Sequence, residues 1–131
     1  MKYKTSEIDG ALLDAAVAKA EGWSKADDDP TAWWSPNRKV AASVDKSGIL
    51  GGYGYHPAHN WAQGGPIIER EQITVMHFPA GFTAGEEWEA YIGHVDPSRL
   101  DLDPANGEGP TPLIAAMRAF VAHKLGDEVE L

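Results

Sequence analysis

The chain has 131 residues, of which 43% are hydrophobic, and its 20 acidic and 11 basic residues give a formal net charge of -9. This length fits a single domain over residues 1–131, because compact domains usually hold about 100 to 150 residues. The sequence has no cysteine, which excludes disulfides, thiolate metal sites and cysteine nucleophiles. Its negative charge disfavours contact with nucleic-acid backbones, so no nucleic-acid partner is expected.

No part of the sequence has the character of a membrane segment. Residues 1–9 lack the apolar stretch of a signal peptide, and no run approaches the roughly 18 apolar residues that cross a bilayer. We therefore expect a soluble protein with no membrane partner, located in the cytoplasm.

The first predicted element is a helix over residues 11–21. Asp9 is a favourable N-cap, and Gly22 is placed to end the helix. Apolar residues recur at helical spacing and predict one narrow buried face. The members of that face are Leu12, Ala16, Val17 and Ala20.

The middle of the chain alternates between predicted loops and strands. Residues 24–37 are predicted to form an irregular loop that contains an aromatic pair, Trp33 and Trp34. Turn-forming residues also predict loops over 60–66, 80–86 and 96–110. Strand-like composition occurs over 40–44, 67–70, 73–78 and 88–94.

The second predicted helix follows a Gly-Pro pair and ends before Gly126. Thr111 is its expected N-cap and Pro112 occupies the first helical position, where a missing N–H is harmless. The predicted buried stripe comprises Leu113, Ile114, Met117, Phe120, Val121 and Leu125, with Arg118 at its edge. Strands flanked by terminal helices predict an α+β fold, with one antiparallel sheet of about three to five strands packed against both helices.

Signatures of an enzyme are weak. His56 and His59 have the spacing H-x-x-H, but they lie in an irregular segment without an acidic companion, so no metal is predicted. No serine lies in a G-x-S-x-G motif, and the glycines of 51–54 precede no predicted helix, so no cofactor is predicted either. The remaining enzymatic alternative is a hydrolase that uses His56 or His59 with Glu69.

The segment Asn60–Pro66 and the start of the second helix together suggest a ligand site. A helix start presents free N–H groups to anions, and Arg118 offers a planar fork for phosphate or carboxylate. Tryptophan and tyrosine rings add stacking surfaces for a nucleotide-like ligand. The predicted ligand-binding residues are Tyr55, Asn60, Trp61, Gly64, Gly65, Thr111 and Arg118. We expect Gly64 and Gly65 to pack against, or to face the same cleft as, residues 109–111.

A purely structural alternative accounts for the same residues. In that interpretation Thr111 and Pro112 only cap the helix, and Trp61 fills the core. Arg118 then pairs with Glu69 or Glu71.

Three separated motifs carry a family resemblance. They are KYKTSE at 2–7, YHPAHNWAQGGPIIERE at 55–71 and GPTPLIAAMR at 109–118. In this order they resemble the NinX-like family of small tailed-phage and prophage proteins. The resemblance implies a phage accessory protein that works in the host bacterial cytoplasm, and it implies no particular reaction.

This setting favours a non-enzymatic counter-defence protein that binds its target stoichiometrically. One hypothesis is sequestration of a small anionic, nucleotide-derived host signal between Trp61–Pro66 and Gly109–Arg118. The alternative is inhibition of a host protein through an acidic and aromatic surface such as Asp27–Trp34. An exposed aromatic loop would also favour a homo-oligomer.

Overall fold

The computed structural model describes residues 1–25, 32–36, 41–43, 54–79, 86–93 and 106–131. In these ranges the helices are α1 (Gly10–Ala20), α2 (Trp61–Arg70) and α3 (Pro112–Leu125). The strands are β1 (Lys2–Lys4), β2 (Ser24–Lys25), β3 (Ala32–Trp34), β4 (Ala41–Ser43), β5 (Ile73–His77), β6 (Trp88–Ile92), β7 (Gly107–Gly109) and β8 (Glu128–Glu130). The predicted α+β class is confirmed.

The described strands form three antiparallel sheets instead of the one sheet that was predicted. Their orders are β1-β8, β2-β3-β4 and β5-β6-β7. The β1-β8 pair joins the two ends of the chain, with Lys4 opposite Glu128 in its register. The terminal ammonium group of Met1 also lies 2.6 Å from Glu130 Oε1.

Helix α3 lies at the centre of the core. Every residue from Leu113 to Val121 is buried, and the helix contacts β5, β6, β7 and α1. Strand β7 lies directly on its backbone, because a Cβ at Gly107 would be 2.4 Å from Ala115 O and 2.5 Å from Ala119 N. Glycine in β7 and alanines in α3 therefore allow the backbones of the strand and the helix to approach each other closely.

The predicted caps of α3 are confirmed in detail. Thr111 Oγ1 accepts a hydrogen bond from Ile114 N at 3.1 Å, and Pro112 occupies the first turn. Gly126 ends the helix with a φ of +94°, in the left-handed region that glycine tolerates.

Helix α1 is confirmed, but the prediction that Leu12 lies on its buried face is wrong. Leu12 is 39% exposed, while Leu13 and Val17 are fully buried beside Ala16. Leu12–Ala16 and Leu13–Val17 have the same helical spacing, so periodicity alone does not separate them. Packing against α3 decides which pair faces inward.

The predictions of a turn over 60–66 and a strand over 67–70 are both wrong, because these residues form α2. Asn60 is the N-cap, and its side-chain oxygen accepts a hydrogen bond from Ala62 N at 2.8 Å. Gly64 and Ile67 are buried with Ile68 partly buried, which is helical spacing. Tertiary packing therefore overrides the low helix propensity of Gly-Gly-Pro.

The remaining segments give mixed outcomes. Strands are confirmed within 40–44, 73–78 and 88–94, and the last two pair antiparallel as β5 and β6. The loop predicted over 24–37 instead contains β2 and β3, and the loop predicted over 96–110 ends in β7. The loop predicted at 80–86 and the strand residue His94 lie almost wholly outside the described residues.

No helix in the described part of the chain has the length and apolar character needed to cross a bilayer.

Candidate functional site

A cavity of about 520 Å³ lies between the β1-β8 sheet and β7. Residues from β1 and the turn after it form one wall, and β7 forms the other. Helix α3 contributes Arg118 and Ala122. Of the seven residues predicted to bind a ligand, Arg118 is the one that lines this cavity.

Arg118 is a buried cation held by backbone oxygens. Its side chain is 8% exposed, Nε donates a hydrogen bond to Ile8 O at 3.0 Å, and Nη1 donates one to Glu108 O at 2.9 Å. These two bonds fix the plane of the guanidinium group. In the described part of the chain, no hydrogen-bond partner is found for Nη2.

The pairing of Arg118 with Glu69 or Glu71, offered as a structural alternative, is wrong. Glu71 instead lies 2.9 Å from Arg70 Nε and 3.6 Å from Lys124 Nζ. These cations hold the pKa of the Glu71 carboxyl below its usual value, with the hydrogen bond from Arg70 as the largest cause.

The charges around the cavity are mixed. Its lining residues include the basic Lys4 and Arg118 and the acidic Glu86, Glu108, Asp127 and Glu128. The hydroxyl of Thr5, also in the wall, donates a hydrogen bond to Gly126 O at 2.7 Å. The cavity therefore combines a fixed guanidinium group with an acidic surround.

The aromatic residues predicted to stack on a ligand lie elsewhere. Tyr55 is buried and its ring stacks on Trp23, with ring centroids 4.6 Å apart and planes 23° apart. Trp61 is 57% exposed in the first turn of α2, so the alternative that it fills the core is wrong. Asn60 is occupied as the N-cap of the same helix.

The space beside Gly64 is occupied by other residues of the protein. A Cβ at Gly64 would lie 2.3 Å from Pro57 O and 2.7 Å from Leu113 Cδ2. Gly64 therefore packs against Leu113 in the first turn of α3, two residues after Thr111. The space is filled by Leu113, and Gly65 meets only the ring of Trp61, at 4.0 Å.

A buried carboxylate organises the segment before α2. Asp14 is 2% exposed, its Oδ1 accepts a hydrogen bond from Ala58 N at 3.0 Å, and its Oδ2 lies 3.2 Å from His56 Nδ1. Burial raises the pKa of the Asp14 carboxyl above its ordinary value, although the hydrogen bonds from Ala58 and His56 oppose this rise. Gln63 adds a second anchor, since its Oε1 accepts a hydrogen bond from His56 N at 2.6 Å.

The histidines of the H-x-x-H motif point to different carboxylates. His56 faces Asp14, and His59 Nε2 lies 3.7 Å from Asp9 Oδ1. Within the described ranges, no group of three or more histidine and acidic side chains is arranged to hold a metal ion. The pairs attach the segment before α2 to α1.

The comparison with known families identifies the chain. The family described as Bacteriophage P22, NinX matches residues 4–124, which is most of the sequence. The chain belongs to this NinX family. No curated protein is significantly similar to it.

The NinX match includes both Arg118 and the Asp14–His56 pair. Sequence reasoning missed Asp14 because an aspartate inside an alanine-rich helix is ordinarily placed on the solvent side. The motif YHPAHNWAQ was found through its resemblance to the NinX family, but its role as an attachment to α1 depends on Asp14. The cavity residues Lys4, Thr5 and Ser6 lie in the motif KYKTSE, which indicated the family but no binding role.

Proposed function

We propose that this NinX-family protein is a non-enzymatic phage accessory protein that captures a small nucleotide-derived anion in the Arg118 cavity. The observation that carries the proposal is a buried guanidinium group, fixed by two carbonyl oxygens, on the wall of a cavity of about 520 Å³. Stoichiometric capture of a host signal in the bacterial cytoplasm would act as counter-defence.

The preset geometry of Arg118 favours binding of phosphate or carboxylate. A guanidinium group offers five N–H donors in a fixed fork, and here the carbonyls of Ile8 and Glu108 hold Nε and Nη1. A ligand that uses Nη2 does not have to order the side chain first, which reduces the entropy lost on binding. The cavity volume also lies within the roughly 300–1,000 Å³ of small-molecule sites.

The Arg118 cavity is not the place where the sequence predicts a ligand. The predicted location lies between Trp61–Pro66 and Gly109–Arg118, and Arg118 is the residue common to both. The space beside Gly64 is filled by Pro57 and Leu113, so that segment offers little room for a base.

A thermal-shift experiment with cyclic and linear nucleotides and ADP-ribose derivatives tests the proposal. A true ligand stabilises the fold by about 2.7 kcal/mol when its free concentration is about 100 times Kd. Lys4→Gln removes an exposed charge of the cavity wall, and Lys2→Gln makes the same change on the same strand outside it. We expect the shift to shrink in Lys4→Gln and to persist in Lys2→Gln.

Equal thermal shifts in the two variants would mean that the ligand binds outside this cavity. The proposal would be overturned if none of the compounds produced a thermal shift. Mass spectrometry of the compound released on denaturation separates capture from catalysis. A captured ligand is recovered chemically unchanged, whereas a substrate is recovered as product.

A second candidate function follows from the exposure of Trp61. A tryptophan that is 57% exposed, on a chain of formal charge -9, suits a contact with a basic host protein. In the alternative surface, Asp27–Trp34, Trp33 is 5% exposed and offers little contact area, and residues 27–31 lie outside the described ranges.

Host-protein binding and self-association are separable by experiment. If Trp61 binds a host protein, Trp61→Ala loses that protein in pull-downs from host lysate while Lys4→Gln retains it. If Trp61 instead joins two copies of the chain, Trp61→Ala lowers the mass measured by sedimentation equilibrium.

A further inference from the structure

We infer that the Arg118 cavity selects a ligand with one phosphate-type charge and hydrogen-bond donors opposite it, and that it rejects polyphosphates. Nucleoside monophosphates with an amino-bearing base belong to this class. The inference rests on the proposed function and specifies its ligand.

The charges of the cavity wall carry the inference. The residues that line it include two basic ones, Lys4 and Arg118, and four acidic ones. A ligand with three or four negative charges would bring more repulsion than these two cations offset. Inside a cavity this repulsion is stronger than in bulk water, because the effective dielectric constant is lower.

Each cation also has an acidic residue at close quarters. Lys4 lies opposite Glu128 in the β1-β8 register. Arg118 donates a hydrogen bond to the main-chain oxygen of Glu108, a residue that also lines the cavity. Acidic residues therefore outnumber basic ones before any ligand binds, and each further negative charge on a ligand adds to the repulsion.

The carboxylates also specify the other end of the ligand. An ionised carboxylate accepts hydrogen bonds and donates none. A part of the ligand that lies against Asp127 or Glu128 must therefore supply N–H or O–H groups. The amino groups of adenine, cytosine and guanine and the hydroxyls of ribose meet this requirement.

Isothermal titration with AMP and ATP, at one ionic strength, tests the inference on wild type and two double variants. Asp127→Asn with Glu128→Gln removes two charges from the cavity wall. Glu7→Gln with Glu69→Gln removes two exposed charges that do not line it. All four positions are exposed, and circular dichroism verifies that both variants fold.

We expect wild type to bind AMP at least about tenfold more tightly than ATP. This preference should fall in the cavity variant, because ATP binding tightens, and should persist in the control variant. ATP binding as tight as AMP binding in wild type would overturn the inference and leave the proposed function standing. An unchanged preference in the cavity variant would overturn it as well. Absence of binding by both nucleotides and by every compound of the thermal-shift panel would overturn the proposed function itself.

Discussion

Asp14 is an ionisable residue in a place where apolar residues are usual. It lies on the buried side of α1, and both of its carboxylate oxygens are engaged, one by Ala58 N and the other by His56 Nδ1. This side chain attaches the segment before α2 to α1, next to the longer contact between His59 and Asp9. Its protonation therefore affects how firmly the two elements are joined.

The raised pKa of Asp14 predicts a pH dependence of stability. Because the folded state binds this proton more tightly than the unfolded state, the Asp14 contribution to stability is largest at low pH. It declines as the pH rises from the ordinary value of 3.8 through the raised folded pKa. Asp14→Asn keeps the acceptor for Ala58 N and removes the charge, so the variant should lack this decline.

Urea unfolding followed by tryptophan fluorescence, from about pH 4 to about pH 7, measures this effect. Between these pH values, the free energy of unfolding of wild type should fall relative to that of Asp14→Asn. The expected fall is about 1.4 kcal/mol for each unit by which the pKa of Asp14 differs between the folded and unfolded states. A wild type that gains stability relative to the variant as the pH rises would show that the folded state favours the ionised carboxylate.

Two adjacent glycines of α2 give a matched pair of substitutions. Gly64→Ala brings a Cβ within 2.3 Å of Pro57 O, whereas the nearest atom to a Cβ at Gly65 is 4.0 Å away. We expect Gly64→Ala to lower the free energy of unfolding by about 1–3 kcal/mol. Gly65→Ala should raise it by up to about 1 kcal/mol, because alanine favours the helix. If urea unfolding gave similar free energies of unfolding for the two variants, the packing described for Gly64 would be contradicted.

At this scale, residues whose partners are local were predictable and residues with distant partners were not. The cap at Thr111 depends on a donor three residues away, and the sequence predicted it correctly. Arg118 binds carbonyl oxygens of Ile8 and Glu108, and any residue type supplies a carbonyl. For that reason composition pointed to Glu69 and Glu71, which are not its partners.

At the scale of elements, α2 is the segment where local sequence preference and tertiary packing favour different structures. Gly-Gly-Pro favours a turn, and Ile67-Ile68 favours a strand. The residues form a helix because Asn60 caps it and because Gly64 and Ile67 pack into the core. The bounds and caps of α3 were predictable, but its burial was not, because every residue from Leu113 to Val121 is buried and Leu125 is only partly buried.

The β1-β8 pair predicts that the end of the chain contributes to stability through burial. Val129 is buried opposite Tyr3, while Glu130 beside it is exposed and reaches the N-terminal ammonium group. Val129→Ala should lower the free energy of unfolding by about 1–2 kcal/mol, through lost apolar contact. Glu130→Gln should change it little, because exposed ion pairs contribute weakly. Thermal unfolding of both variants checks this, and a larger loss for Glu130→Gln would contradict it.

At the scale of the whole molecule, the cavity is assembled from parts that are distant in sequence. Lys4 and Glu128 come from opposite ends of the chain, while Glu108 and Arg118 belong to β7 and α3. Their proximity depends on the β1-β8 pairing and on the contact between Gly107 and the backbone of α3. Sequence patterns therefore predicted one residue of the site and the α+β class, but not the site itself.

The central claim is that a nucleotide-type anion binds beside Arg118, and an NMR titration of the ¹⁵N-labelled protein with AMP tests it most directly. The account predicts chemical-shift changes at the amides of Thr5, Gly107, Glu108 and Glu128, which surround the cavity. The amides of Trp61 and Gly64 should remain unchanged. Changes confined to Trp61, Gly64 and the start of α3, or no changes at all at millimolar AMP, would contradict it.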